Sequence, residues 1–307
     1  MRDGVHAAVM PRRRLANSGT ALRALVVATR FLGRWSSALA SVPAAILWFT
    51  PWRVPVSERG LAKQTRWLDG AETFRIRTRA GRIAVFSVGS GPIVLLVHGW
   101  GEQAGALGGF IPPLVARGYR VVGVDLPAHG RSDKGRTNII QAGRALLGVA
   151  DRLGPPHAVV AHSMGANVAL WALKEGLRTD RLVLLAPNVD LAQPLDVFAL
   201  MLGLPPKAIA GLTRLIEKRF GRNVWEEIRG DVLARGLSIP AILFHDPNDP
   251  QVPFDGSLRL TQVWPSARLV EMPGLGHGGI TRAAEVVEQA TSFIIEQKER
   301  AGSGSLA

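Results

Sequence analysis

The sequence predicts an α/β fold built on a mostly parallel sheet, and three observations carry that prediction. Short apolar runs of strand length recur along the chain. Helix-compatible segments lie between several of them. One run leads into Ala161-His162-Ser163-Met164-Gly165, directly before a helix-like stretch. Alternating strands and helices imply a sheet covered on both faces.

Taken in order, Thr73–Thr78 and Arg82–Val88 read as a hairpin turning at Ala80-Gly81. Pro92–Val97 is continuously apolar, as a strand buried on both faces requires. Further strands are predicted at Arg120–Val124, Ala158–Ala161, Arg181–Ala186, Ala241–Phe244 and Arg268–Glu271. Helices are predicted at Ile111–Arg117, Thr137–Leu153, Ala166–Glu175, Gly256–Val263 and Ala283–Lys298. The interval from Asn188 to Pro240 is too long for a simple crossover. It carries apolar helical segments at Leu195–Leu204, Ile209–Phe220 and Val224–Ile228, and Val232–Leu237 is the regular crossover helix. Long insertions in compact domains are often lids. Gly302–Ala307 reads as a frayed small-residue tail.

At 307 residues and 47% apolar content, the chain can form one large domain with an appendage. It has no cysteine, which excludes disulfides, thiolate metal sites and a cysteine nucleophile, and which suits a reducing cytoplasm. The net charge of +13 is concentrated at the start. Residues 1–66 hold 11 Arg and Lys against 2 Asp and Glu. The body is close to an ordinary soluble enzyme, which argues against a nucleic-acid binder.

Residues 1–66 form a basic N-terminal extension, with the main domain at 67–307. Arg12-Arg13-Arg14 precede an apolar run containing Leu22, Leu25, Val26 and Leu32. Arg23, Arg30 and Arg34 recur at helical spacing within it, and Met10 is an alternative start. A second run, Leu39 to Trp52, is broken by Pro43 and Pro51. Neither run supplies the roughly 20 uninterrupted apolar residues of a membrane span. Arg23 and Arg30 also cut short the apolar core that a secretory signal needs, although Ala38-Leu39-Ala40 mimics a cleavage site. Two readings of residues 1–52 stand side by side: an amphipathic helix lying on an anionic membrane surface, and a helical arm packed on the protein itself.

The chemistry centres on Ser163. A sharp strand-to-helix turn exposes its hydroxyl, and Ala161 and Gly165 are small enough for strand and helix to approach. A free hydroxyl is a poor nucleophile and needs a base. His277, between Gly276 and Gly278, follows one predicted strand. Asp249 follows another, in His245-Asp246-Pro247-Asn248-Asp249. Both loops lie at the carboxyl ends of strands, where open parallel sheets build their sites. His277 would take the serine proton, and Asp249 would fix the imidazole tautomer. Asp246 is a second candidate acid, but Asp249 has the better offset to Val252-Pro253. After the strand Pro92–Val97 comes His98-Gly99-Trp100-Gly101, and the Trp100 and Met164 amides would form an oxyanion hole. His98 and His162 read as shaping those turns, and His129, His157 and His245 as loop or core residues. No histidine pair has zinc spacing, and the glycine clusters at 89–91 and 105–109 lack the lysine of a nucleotide loop. No metal and no cofactor is expected.

With Asp125-Leu126-Pro127-Ala128-His129-Gly130-Arg131-Ser132, these motifs resemble the α/β-hydrolase superfamily over roughly Thr73 to Lys298. The nearest look is that of bacterial serine esterases and lysophospholipase-like members. The resemblance implies an eight-stranded sheet, a helical lid at about 188–229, and hydrolysis of a small-molecule ester; the Leu-, Ile- and Phe-rich lid suggests an apolar acyl, lipid-like or aromatic substrate. Acyl transfer or thioester cleavage on the same residues, and a non-catalytic binding role, are the alternatives. Two positions depart from the family pattern: Ala161 replaces the first elbow glycine, and Asp246 stands where many relatives have glycine. Asp125 and Arg131 read as structural. The expected location is cytoplasmic or peripheral at the inner membrane face, and the oligomeric state is open.

Overall fold

The structure, a computed structural model, describes residues 20–52, 57–191 and 193–302. Met10, Arg12-Arg13-Arg14 and residues 303–307 of the tail lie outside them. Eight strands form one sheet: β1 (Glu72–Thr78), β2 (Gly81–Val88), β3 (Ile93–Val97), β4 (Arg120–Val124), β5 (Ala158–His162), β6 (Arg181–Leu185), β7 (Ala241–His245) and β8 (Ala267–Glu271). Their order is β1-β2-β4-β3-β5-β6-β7-β8. β1 and β2 pair antiparallel, as do β2 and β4; β4 to β8 run parallel, as the sequence predicts. The hairpin turn falls one residue earlier than predicted. Thr78 already pairs with Gly81, so Arg79-Ala80 make the turn, and the Thr78 hydroxyl accepts from the Ala80 amide.

The central strands are apolar on both faces, and alternate residues feed two cores. Leu95, Val97, Val159, Ala161, Leu182 and Leu184 pack with helices α5 (Ile139–Leu153) and α6 (Met164–Lys174). Val94, Leu96, Val160, Val183 and Leu185 pack with α4 (Ile111–Val115) and α13 (Ala284–Gly302) on the other side. Each such valine or leucine side chain contributes on the order of 1.5–3 kcal/mol by burial, which fixes the strand register.

Before the sheet come α1 (Thr20–Trp35), α2 (Ser37–Phe49) and α3 (Glu58–Trp67). α2 continues through Pro43, contrary to the expected break. The ring removes only the amide that would bond to the carbonyl of Leu39, and Leu39 is exposed. Pro51 does end the segment, because Thr50 before it is extended. Between β6 and β7 lie α7 (Gln193–Leu202), α8 (Pro206–Phe220), α9 (Val224–Glu227) and α10 (Gly230–Leu233), and α11 (Asp255–Val263) joins β7 to β8.

α1 and α2 pack on this insertion, burying Val26, Ala40, Leu47, Leu202, Leu204 and Ala208 together. The approach is close. A Cβ on Gly33 would lie 2.6 Å from Pro205, and one on Gly211 would lie 2.1 Å from the Ser37 carbonyl oxygen. Arg30 Nε donates to the Leu202 carbonyl at 2.5 Å, and Arg214 donates to the Ser37 hydroxyl at 2.6 Å.

Candidate active site

β5 delivers the chain into a tight turn at Ser163, which has φ 53° and ψ −122° and precedes α6. Positive φ on a non-glycine residue costs on the order of 1–3 kcal/mol and persists only where its surroundings enforce it. Here the Ser163 amide donates to the Leu185 carbonyl at 2.9 Å, and the Ser163 carbonyl accepts from Ala166. Gly165 is required by contact rather than by φ. A Cβ there would lie 2.6 Å from both the Val97 and His98 carbonyl oxygens. Ala161, by contrast, is fully buried in the core behind β5.

The structure brings the predicted site residues together. His277 leads from α12 (Gly276–Gly279), and its Nε2 lies 2.9 Å from Ser163 Oγ. Its Nδ1 lies 2.7 Å from Asp249 Oδ2. In the tautomer this geometry favours, Nδ1–H donates to the carboxylate and Nε2 accepts from the serine hydroxyl. The Asp249 side chain is fully buried, and the other carboxylate oxygen accepts from the Gln251 and Val252 amides. Burial opposes its ionisation, but the neighbouring His245 imidazole and the hydrogen bond from His277 outweigh that and hold the carboxyl well below its ordinary range. Burial holds His277 below its ordinary pKa, only partly offset by Asp249. A neutral imidazole next to a fixed carboxylate can accept a hydroxyl proton.

Asp246, the rival acid, has a different task. Its carboxylate accepts from the Gly276 amide at 2.6 Å and from the Asn248 amide at 2.9 Å, so it anchors the loop that carries His277.

The loop after β3 abuts the nucleophile: a Cβ on Gly99 would lie 3.1 Å from Ser163 Cβ. His98 donates from Nδ1 to the Gly99 carbonyl and accepts the Leu126 amide at Nε2. His129 donates from Nδ1 to the Pro127 carbonyl and accepts the Gly101 amide at Nε2. Burial keeps both neutral, pulling His129 down to about 3. Trp100 sits edge-on to the His129 ring at 5.4 Å. Met164 opens α6, where a helix leaves its amides without intrahelical partners. Asp125 accepts the Ala104 and Arg131 amides, which makes its stretch a scaffold.

Three residues have roles that sequence reasoning missed. Glu102 accepts the Gly99 amide at 2.8 Å and pairs with His162 Nδ1 at 2.9 Å through the same oxygen. The opposite nitrogen of His162 donates to the His277 carbonyl at 3.1 Å. Burial opposes ionisation of both. The charge and hydrogen bond of His162 nevertheless bring Glu102 down to about 2, and those of Glu102 raise His162. His245 is buried under Asp249, with Nδ1 2.7 Å from the Ser257 hydroxyl and Nε2 3.3 Å from Asp249 Oδ2. Only the placement of a carboxylate directly after His98-Gly99-Trp100-Gly101 hinted at Glu102.

Two surface grooves, of about 570 and 530 Å³, follow α3 and the α7–α8 pair, and neither includes Ser163, Asp249 or His277. The side-chain chemistry, not groove size, locates the site.

Among curated relatives, a 2-hydroxy-6-oxo-6-phenylhexa-2,4-dienoate hydrolase of Burkholderia cepacia is 36% identical over 116 residues. That match covers 35% of this chain and 40% of the relative. A pimeloyl-[acyl-carrier protein] methyl ester esterase of Methylococcus capsulatus is 41% identical over 87 residues, 28% of this chain and 33% of its own. The chain thus spans well under half the length of these relatives. An esterase from Exiguobacterium antarcticum superposes with a TM-score of 0.58 at 18% identity, over 73% of this chain and 99% of that one; at that identity the likeness speaks for the fold. The Alpha/beta hydrolase family model matches residues 94–289, from β3 to within α13. That span holds Ser163, Asp249, His277 and the loop after β3, and with it the chain belongs to the alpha/beta hydrolase family.

Proposed function

We propose that the protein is a serine hydrolase that cleaves a carboxylic ester through an acyl-serine intermediate. The observation that carries this is the unbroken relay from Ser163 Oγ to His277 Nε2 at 2.9 Å and from His277 Nδ1 to Asp249 Oδ2 at 2.7 Å. In this reading His277 removes the serine proton as Ser163 attacks the ester carbonyl, and returns it to the departing alcohol. Asp249 stabilises the imidazolium formed in between. The Trp100 and Met164 amides receive the negative charge of the tetrahedral intermediate. Water, activated by His277, then releases the acid. The esterase named among the relatives supports an ester as substrate.

The test is turnover of p-nitrophenyl esters of increasing chain length, with a phenyl dienoate included because a relative is named for one. A fluorophosphonate probe should label Ser163 and no other residue. Wild-type protein that neither labels nor turns over any ester would point to a binding protein. Ester turnover that survives in Ser163→Ala would end the acyl-serine reading.

A further inference from the structure

The packing of α1 and α2 on the insertion leaves one face of the hairpin uncovered, and that face is apolar. Val27 (63% exposed), Phe31 (60%) and Trp35 (74%) on α1 continue into Leu39 (60%) and Val42 (57%) on α2. On α1, at about 100° per residue, the exposed apolar residues share one arc, and Arg23, Arg30 and Arg34 fall on the adjoining arc. The opposite side of the same helix, through Val26, Thr29 and Gly33, is buried against the insertion. α1 therefore has three stripes: one held by the protein, one apolar and open, one basic. A helix that served only as a packing arm would need no open stripe of valine, phenylalanine and tryptophan.

We propose that this hairpin face docks the protein on an anionic lipid surface, with Phe31, Trp35 and Leu39 entering the interfacial region and Arg34, beside them, facing lipid phosphates. Charge complementarity selects this occupant. Residues 1–66 carry 11 basic side chains against 2 acidic ones, including Arg12-Arg13-Arg14 just upstream of α1. A second copy of the chain would bring the same positive charge to the contact. Among the described residues no helix is long and apolar enough to cross a membrane, so the association is with the surface. The hairpin is fixed to α8, and the insertion leaves the sheet beside the strand that presents Ser163. Docking therefore holds the insertion at the lipid surface.

The experiment uses the full chain and reads binding, so it is independent of the ester reading. Sedimentation is measured with phosphatidylcholine vesicles and with vesicles containing phosphatidylglycerol. Wild type should pellet with the anionic vesicles and release in high salt. Phe31→Ser with Trp35→Ser should weaken binding at least about 10-fold, since each removes a large apolar side chain from the interface. The chain has no cysteine, so Phe31→Cys and Glu288→Cys each give a unique site for an environment-sensitive dye. The dye at 31 should shift to the blue with anionic vesicles, and the dye at 288 on α13 should not. Equal pelleting of the folded double variant, or an unshifted dye at 31, overturns the proposal. So does a wild-type dimer that the double variant loses while neither binds vesicles.

Discussion

Glu102 and His162 form a buried ion pair, 2.9 Å long, that links the loop after β3 to the loop bearing His277. Glu102 holds the Gly99 amide, and His162 holds the His277 carbonyl. One charged pair thus sets the distance between two parts of the site that come from opposite ends of the domain.

Glu102→Gln should therefore cost both stability and turnover. The stability loss is expected at about 1–3 kcal/mol, because a buried partner loses its charge complement. Its pH dependence is distinctive. Glu102 lies at about 2 against an ordinary 4.5, so its contribution is full above 4.5 and fades as pH falls toward 2. His162 is raised above 6.5, so its contribution is full below 6.5 and fades as pH climbs through the higher folded value. The difference in thermal or urea stability between wild type and variant should be greatest between these two ordinary values and shrink on either side. On activity, kcat should fall about 10- to 100-fold with a smaller change in KM, as for a group that positions others. A pH-independent stability difference would show that the pair is not ionised.

The acidic limb of kcat/KM should lie below pH 6.5, with a plateau by about pH 7. Burial depresses His277, so the imidazole is already neutral there and competent as a base. Asp249→Asn should lower kcat by about 10⁴-fold, because the amide can donate to Nδ1 and favour the wrong tautomer. A limb centred above pH 7 would contradict a neutral His277.

The elbow predicts an asymmetry between its two small residues. Gly165→Ala forces a methyl against the Val97 and His98 carbonyl oxygens at 2.6 Å, and backbone cannot yield as a side chain can. Destabilisation of about 1–3 kcal/mol is expected, together with a displaced β3 loop and reduced turnover. Ala161→Gly removes one methyl from the core and should cost about 1 kcal/mol while preserving turnover. Thermal melts of the two variants would check the order.

The strands, the elbow and the three catalytic candidates were legible because each depends on local pattern. Val94–Val97 is apolar at every position, Ser163 is flagged by the small residues Ala161 and Gly165 that let strand and helix approach, and His277 by its flanking glycines. The roles of Glu102, His162 and His245 were not legible, nor was the anchoring by Asp246. They come from contacts across 60, 115, 4 and 30 positions of sequence, and a single carboxylate or imidazole carries no periodicity. The path of α2 through Pro43 was hidden for another reason. Proline breaks a helix on average, and the tertiary contacts of Ala40, Ala44 and Leu47 that hold this one are invisible locally.

Those contacts define the last prediction. α2 and α8 approach so closely at Gly211 that its Cα faces the Ser37 carbonyl oxygen. Gly211→Val should wedge the hairpin off the insertion without touching Ser163, Asp249 or His277. The body, held by its own two cores, should keep its melting transition, and limited proteolysis should cut near residues 50–57 faster than in wild type. Hydrolysis of a short soluble ester should persist, since the relay at Ser163 is intact. If the variant instead unfolds as one unit with the body, the hairpin is part of the main cooperative structure and not a separable arm.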